Sequence, residues 1–248
     1  MRRAARTTLA QVVALAGAES SPRRARLDDR QPRRSRLGLS SGPVKPELTT
    51  AGPFRSRHTD DAWLQRWLPL LREHTGEQCV LELGCGEGRD TAVLQAAGLR
   101  VVAIDRSPAA LAEARQSVPG ATFIESDLCA PLPIETSQVG AIVASLSLHY
   151  FDWHTTREIV EHLRVCLTPN RLLLCRVNST RDVHHGSTGH PSIEPGYFRV
   201  GDTTKRFFDR ADLLKLFAHG WHIVALEEQT IDRYERPKVI WELVALAS

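Results

Sequence analysis

The chain has 248 residues, 42% of them hydrophobic and 25% charged, which allows one large folded domain or two small ones. Residues 1–50 carry eleven basic and four acidic side chains, a balance of +7; the whole chain carries +3, so residues 51–248 carry −4. The basic character therefore belongs to the N-terminal segment and does not indicate a nucleic-acid-binding surface on the folded part. No apolar stretch is long enough to cross a bilayer, which argues against a membrane protein.

The N-terminal segment differs in composition from the rest of the chain. Residues 1–53 are rich in Arg, Ser and Pro, and we predict a disordered tail ahead of one domain at residues 54–248. A basic start and a short apolar stretch resemble a secretory signal, but Gln11 interrupts the apolar run. The five cysteines are odd in number and lack paired metal spacing, so we expect reduced core thiols in a cytoplasmic protein.

Helical and strand patterns alternate through the middle of the chain. Apolar spacing predicts an amphipathic helix over about 60–72, capped by Thr59 or Asp60 and lying over a sheet edge. The strands predicted after it are 79–84, 100–105, 121–127, 140–148 and 171–177. Helices are predicted between them, among them one opened by Ser107 and Pro108 and one over 154–166. Such alternation favours an open parallel sheet with helices on both faces.

The pattern changes after the fifth strand. Residues 178–205 are predicted as a long polar insertion, followed by a helix at 209–219 and strands at 221–231 and 238–247. A short polar turn joins the last two strands, which predicts a hairpin. Trp221 and Trp241 fall on these strands and are expected in the core. The predicted fold class is therefore α/β, a Rossmann-like doubly wound sheet that is mostly parallel, with an antiparallel C-terminal edge hairpin.

A glycine-rich loop, "VLELGCGEGRD" at residues 80–90, follows the first of these strands. Three closely spaced glycines expose backbone N–H groups and let a ligand approach the main chain. The dinucleotide fingerprint is G-x-G-x-x-G, whereas here the third glycine comes one position earlier. Glu82 and Glu87 also place negative charge where a pyrophosphate would lie, which disfavours an anionic ligand and favours one carrying ammonium and sulfonium groups.

Three stretches together resemble motifs I, II and III of the class I S-adenosylmethionine-dependent methyltransferases. They are "VLELGCGEGRD", "VVAIDRS" and "FIESDL", and the resemblance covers residues 75–177. The C-terminal stretch is similar, more loosely, to small-molecule methyltransferases of the tellurite-resistance type. The resemblance implies the seven-stranded methyltransferase fold and S-adenosyl-L-methionine as cofactor. One departure is Gly140, which stands where the family usually has an acidic residue before the fourth strand.

The resemblance also implies roles for individual residues in cofactor binding. Glu82 is expected near the cofactor's ammonium group, Asp105 at the ribose hydroxyls and Asp127 at the adenine amine. The other expected cofactor contacts are Gly84, Cys85, Gly86, Gly88, Arg106, Leu128 and Ser145.

The implied reaction is an in-line displacement in which a nucleophile on a small molecule attacks the sulfonium methyl group. We expect His149 and Tyr150 nearest that methyl group, one of them as general base if the nucleophile arrives protonated. The expected substrate contacts are Arg176, Asn178, Asp182, His184 and His185. "HHGSTGH" offers imidazoles for a metal, but no carboxylate pair follows the fourth strand, so we expect no metal.

Several alternatives stay open from sequence. "SLSLHY" lacks the Asn/Asp-Pro-Pro-aromatic tetrapeptide of many amide and nucleobase N-methyltransferases, which argues against a nucleic-acid or protein substrate. An RNA- or protein-directed methyltransferase using the Arg-rich tail remains an alternative, as does a non-catalytic cofactor-binding domain. An NAD-dependent oxidoreductase is the competing enzyme class. The oligomeric state is open.

Overall fold

Seven strands form one sheet in the computed structural model, which describes residues 62–248. The predicted tail and the predicted helix cap at Thr59 or Asp60 lie outside the described residues. The sheet order is β3-β2-β1-β4-β5-β10-β9. These strands are β1 (Cys79–Leu83), β2 (Val101–Asp105), β3 (Thr122–Glu125), β4 (Val139–Ser145), β5 (Leu172–Asn178), β9 (Trp221–Ile231) and β10 (Lys238–Ala247).

The strand directions confirm the predicted fold class. β1 to β5 pair in parallel, while β10 pairs antiparallel with both β5 and β9. The sheet is therefore a mostly parallel α/β sheet that ends in an antiparallel hairpin. The strand order reverses between β1 and β4, and in such sheets ligands bind beyond the carboxyl ends of the strands at this point.

Five α-helices are described in residues 62–248, and local capping explains where several of them begin. They are α1 (Leu68–Thr75), α2 (Arg89–Ala96), α3 (Pro108–Ser117), α4 (Trp153–Val165) and α5 (Arg210–Leu216). The Ser107 side chain accepts from Ala110 N at the start of α3, and the Asp152 side chain accepts from Thr155 N at the start of α4. No helix in this part of the chain is long and apolar enough to cross a membrane.

The first predicted helix differs from the observed one in two ways. The chain forms a 3-10 turn at Trp63–Trp67 and only then the α-helix α1, which continues to Thr75. Pro69 lies in the first turn of α1, where its missing N–H costs no helical hydrogen bond. The helix packs against β4 and β5 in the middle of the sheet, so the prediction that it covers an edge is wrong.

Gly140 is explained by this helix packing. A Cβ atom at Gly140 would lie 2.5 Å from the Thr75 carbonyl oxygen and 2.7 Å from the Thr75 Cα atom. The end of α1 therefore approaches β4 too closely for any side chain at position 140. The departure from the family pattern reflects this contact.

The segment predicted as a polar insertion contains regular structure. Within it, β6 (Ser192–Glu194), β7 (Tyr197–Val200) and β8 (Thr203–Arg206) form a separate antiparallel sheet, which we call the meander. The meander is tied to the main sheet where Asn178 Nδ2 donates to the Arg206 carbonyl oxygen at 3.3 Å. The predicted fourth strand is also too long, because β4 ends at Ser145 and a 3-10 turn follows at Leu148–Tyr150.

Apolar side chains cover both faces of the main sheet. One face packs against α4 and α5 and includes Trp221 and Trp241, as expected from sequence. The other face packs against the 3-10 turn, α1, α2 and α3. All five cysteines are free thiols, but Cys129 is exposed, so the expectation of a core thiol is wrong there.

A buried ion cluster joins the 3-10 turn to the sheet. Glu242 on β10 is 2% exposed and accepts from Trp67 Nε1 at 2.5 Å and Arg66 Nε at 3.0 Å. Arg66 Nη2 also donates to Glu227 on β9 at 3.0 Å. Because an unneutralised buried charge is costly, the Glu242 carboxylate depends on these donors, and they in turn depend on it.

Glu242→Ala should therefore lower the free energy of unfolding by about 3–5 kcal/mol, the range for breaking a buried ion pair by removing one partner. Urea unfolding followed by circular dichroism measures it. Glu161→Ala, which removes an exposed ion pair with Arg164, is the control and should leave the midpoint unchanged. Equal midpoints for both variants would contradict a structural role for Glu242.

Candidate functional site

The glycine loop after β1 adopts a left-handed backbone at each glycine. The φ angles are 67° at Gly84, 54° at Gly86 and 82° at Gly88. A Cβ atom at Gly84 would lie 2.6 Å from Ser147 Cβ, so only glycine lets this turn meet the chain that follows β4.

The sequence predicts exposed N–H groups in the loop, but in the structure four of these groups, at Gly84, Cys85, Gly86 and Gly88, bond within the protein. Gly84 N and Cys85 N both donate to the Ile104 carbonyl oxygen, at 2.8 and 3.1 Å. Gly86 N donates to Asp105 Oδ2 at 2.8 Å, and Gly88 N to the Cys85 carbonyl oxygen at 3.0 Å. These internal bonds remove the donors that a pyrophosphate would need, which further disfavours a dinucleotide.

Glu82 is a buried carboxyl group on β1, just before the glycine loop. It is 3% exposed and accepts from Thr91 Oγ1 at 2.5 Å. Burial, assisted by the nearby charges of Asp90 and Asp105, raises the pKa of Glu82 to about 8, against the lowering effect of the Thr91 hydrogen bond. Within the described residues no cation pairs with this carboxyl, so the site favours a ligand that brings positive charge.

The other two predicted acids lie at the ends of neighbouring strands. Asp105 ends β2 and accepts from Gly86 N at 2.8 Å and Ser107 N at 2.9 Å. Asp127 follows β3, and its Oδ1 accepts from Cys129 N at 2.9 Å. Main-chain donors therefore hold both carboxylates in place, while the free lone pairs remain for a ligand.

Two pockets meet at the glycine loop, with volumes of about 410 and 400 Å³. The first is lined by Glu82, Asp90 and Ser145. The second is lined by Asp105 and Asp127, together with the predicted contacts Arg106 and Leu128. The pockets share four residues, which are Gly84, Gly86, Leu146 and Tyr150. An elongated ligand can therefore lie across the loop with one end in each pocket.

The last residue of β4 and the chain that follows it contribute one strained residue and two buried serine hydroxyls to the pocket walls. Leu146 has φ of 57°, a left-handed conformation that is unfavourable for a leucine. Ser145 Oγ and Ser147 Oγ are buried and have no hydrogen-bond partner among the described residues. Ser145 lines the first pocket and Ser147 the second, so each hydroxyl is placed to contact a ligand.

The two predicted catalytic residues occupy different positions. Tyr150 is 43% exposed and lines both pockets. His149 is 3% exposed, lines neither pocket, and stacks on Tyr150 with ring centroids 4.3 Å apart. Burial, then the charges of Lys238 and Lys205, lower the pKa of His149 well below its usual value, so the imidazole is neutral at pH 7. The structure brings only Tyr150 to the shared wall.

The five predicted substrate contacts do not line either of these pockets. Arg176 is fully buried, with its guanidinium 4.8 Å from the Trp63 ring centroid and its Nε 4.0 Å from Glu242 Oε2. Asn178 is buried and holds the meander. His184 is exposed on the 3-10 turn at Val183–His185.

Asp182 and His185 do not line the first pocket, but they belong to a cluster that contacts a residue of its wall. Asp182 is fully buried and accepts from Lys238 Nζ at 2.9 Å, with His185 Nδ1 also 2.9 Å away. His185 and Lys238 both contact the ring of Tyr234, which lines the first pocket. This cluster therefore positions Tyr234.

Sequence reasoning missed several pocket residues. Arg233 and Tyr234 come from the turn between β9 and β10, Thr203 from the meander, and Phe151 from the chain before α4. The aromatic residue in an otherwise polar turn, "DRYERP", was the available signal for Tyr234. Nothing local marks Thr203, because its place depends on how the meander folds back.

Comparison with known proteins agrees with this geometry. A family model described as a methyltransferase domain matches residues 80–170. Trans-aconitate 2-methyltransferase of Escherichia coli (strain K12 / DH10B) is 38% identical over 96 residues, which cover 38% of this chain and 36% of the relative. The chain thus aligns with about a third of the length of this curated relative.

Solved structures share the fold. An S-adenosylmethionine-dependent methyltransferase from Methanosarcina mazei superposes with a TM-score of 0.61 at 18% identity, covering 72% of this chain and 97% of that one. The 1,6-didemethyltoxoflavin-N1-methyltransferase of Burkholderia thailandensis, solved with bound 1,6-didemethyltoxoflavin and S-adenosylhomocysteine, gives a TM-score of 0.57 at 21% identity over 76% of this chain and 80% of that one. These structures confirm the fold, while the matched family model and the curated relative support the resemblance of the three motifs to the methyltransferases.

The close approach at Gly84 gives a stability prediction. Gly84→Ala places a Cβ against Ser147 and should cost about 1–3 kcal/mol more than Gly98→Ala, which has a similar φ of 81° and open space around it. Thermal unfolding of the two variants measures the difference. Equal losses of stability in the two variants would mean that backbone strain alone, and not contact with the chain after β4, requires glycine at position 84.

Proposed function

We propose that this chain, which carries a domain of the class I S-adenosylmethionine-dependent methyltransferase family, transfers a methyl group from S-adenosyl-L-methionine to a nucleophilic atom of a small molecule. One observation carries the proposal: two pockets meet over the glycine loop, with a carboxyl group at the end of each of the three strands beneath them. This arrangement suits a ligand with a cationic end and a nucleoside end.

Within this proposal the cofactor lies across Gly84 and Gly86. Its methionine end occupies the first pocket, where Glu82 offsets the ammonium charge and Ser145 Oγ gains a partner. Its nucleoside end occupies the second pocket, where Asp105 accepts from the ribose hydroxyls and Asp127 from the adenine amine. Cys85 and Gly88 shape the loop, while Arg106 and Leu128 border the adenine.

The protein's own contribution to the reaction is alignment and exclusion of water. The cofactor supplies the reactive methyl group when bound. We assign to Tyr150, on the wall between the pockets, the position nearest to that group, and to the neutral His149 the support of the Tyr150 ring, 4.3 Å away between ring centroids. His149 is thus assigned a positioning role, whereas the catalytic contact is assigned to Tyr150.

A carboxylate-bearing acceptor is the class to test first. The Escherichia coli relative is named for methylation of trans-aconitate, and two arginines, Arg89 and Arg233, line the first pocket of this chain. A guanidinium group suits a carboxylate because it can donate two parallel hydrogen bonds.

The function is tested by binding and turnover together. S-adenosylmethionine and S-adenosylhomocysteine should bind the purified chain in calorimetric titrations, and NAD should not. Trans-aconitate and uncharged analogues are then supplied as acceptors, with S-adenosylhomocysteine formation as the readout and Asp105→Ala as the inactive control.

The outcomes separate the alternatives. Binding without turnover on any acceptor would favour the non-catalytic cofactor-binding domain, and binding of NAD alone would favour the oxidoreductase. Turnover that requires RNA or protein and is lost on deleting residues 1–50 would favour the macromolecular substrate.

Glu82 predicts a pH dependence of cofactor binding. The pKa of about 8 means that the carboxyl is mostly protonated in the free protein at pH 7, whereas a cationic ligand favours the carboxylate. Binding therefore releases a proton, and affinity should rise from pH 6 to 8, by up to about tenfold per pH unit, then level off.

Calorimetry in buffers of different ionisation enthalpy measures that proton release. Glu82→Gln should weaken binding and abolish the pH dependence. Glu87→Gln, which alters an exposed carboxylate on the same pocket, should keep it. A flat affinity between pH 6 and 8 in the unmodified protein would contradict the role given to Glu82.

A further inference from the structure

The meander contacts the chain between β4 and α4, which contains Tyr150. Tyr197 Oη on β7 lies 3.0 Å from the Tyr150 carbonyl oxygen and 2.7 Å from Thr204 Oγ1 on β8. Thr204 Oγ1 is in turn 3.2 Å from the same carbonyl oxygen. Two hydroxyls of the meander therefore converge on one main-chain oxygen of Tyr150.

The next residues along this segment are also held by the meander. Arg206 Nε donates to the Phe151 carbonyl oxygen at 3.1 Å, and Glu194 accepts from Trp153 N at 2.7 Å. Arg206 and Glu194 form an ion pair with each other. The Arg206 guanidinium also lies 5.5 Å from the Trp153 ring centroid.

These contacts act on pocket-lining residues. Tyr150 lines both pockets and Phe151 lines the second, and the main-chain carbonyl oxygens of the same two residues accept the bonds from the meander. Tyr197 and Arg206 are 8% and 3% exposed, so water does not compete freely for those carbonyl oxygens. Fixing the Tyr150 carbonyl oxygen restricts the peptide plane that follows Tyr150, and with it the direction in which the Tyr150 Cα–Cβ bond leaves the main chain.

We propose that Tyr197 is a positioning residue of the methyl-transfer site, which holds the Tyr150 main chain so that the Tyr150 ring stays on the wall between the two pockets. The inference rests on the proposed function, because it assigns the shared wall to the bound cofactor. It also gives the meander a role at the site beyond covering the sheet.

A purely structural role for Tyr197 makes a different prediction. Loss of the hydroxyl would then lower stability, while the folded molecules would bind the cofactor as before. A positioning role changes affinity in the folded protein, and the change must pass through Tyr150. A double-mutant cycle separates these cases because it measures coupling between two residues directly.

The experiment measures S-adenosylhomocysteine affinity by calorimetry for the unmodified chain, Tyr197→Phe, Tyr150→Ala and the double variant. Tyr197→Phe should weaken binding about threefold to tenfold, the scale of one lost hydrogen bond. In the Tyr150→Ala background the same change should alter binding less than twofold. Ser192→Ala is the matched control, since its hydroxyl bonds only to Glu194 O within the meander; binding should be unchanged.

Two results would overturn the inference. One is an equal effect of Tyr197→Phe with and without the Tyr150 ring, which would mean that the residues act independently. The other is unchanged affinity in Tyr197→Phe while the unmodified chain binds normally. Absence of binding to the unmodified chain would instead refute the proposed function, and this inference with it.

Discussion

The hydrogen bond from Gly86 N to the Asp105 carboxylate is the contact on which the rest of the site depends. It is 2.8 Å long and joins the loop after β1 to the end of β2. The other Asp105 oxygen accepts from Ser107 N, directly before α3. One carboxylate therefore fixes the glycine loop, the strand end and the approach to the helix, and it faces the second pocket with its remaining lone pairs.

The acids at the ends of β2 and β3 could be predicted from the sequence because the features that mark them are local. Asp105 and Asp127 were found as acids at strand ends, and strand ends follow from short apolar runs bounded by polar residues. Arg176 was not expected to lie away from the pocket walls, because its strand was predicted correctly but the partners of its side chain were not. Those partners are the Trp63 ring and Glu242, which come from the first helical turn and the last strand, so no local pattern marks them.

Two buried glutamates show how the same residue type serves different purposes. Glu242 is surrounded by donors from Arg66 and Trp67, so its charge is neutralised within the protein and it ties the first helical turn to the sheet. Glu82 accepts a hydrogen bond from the Thr91 hydroxyl, but burial, assisted by the charges of two nearby acids, raises its pKa. A carboxyl left in that condition costs stability unless a ligand supplies the charge, which is typical of a binding site rather than a structural one.

The walls of the two pockets depend on contacts between distant parts of the chain. Tyr150, Thr203 and Tyr234 come from three separate segments, and each is held by main-chain or buried side-chain contacts made elsewhere. The turn with Tyr234 lines only the first pocket, whereas the meander reaches both through Tyr150. Changes in that turn should therefore act on the first pocket alone, while changes in the meander should act on both pockets.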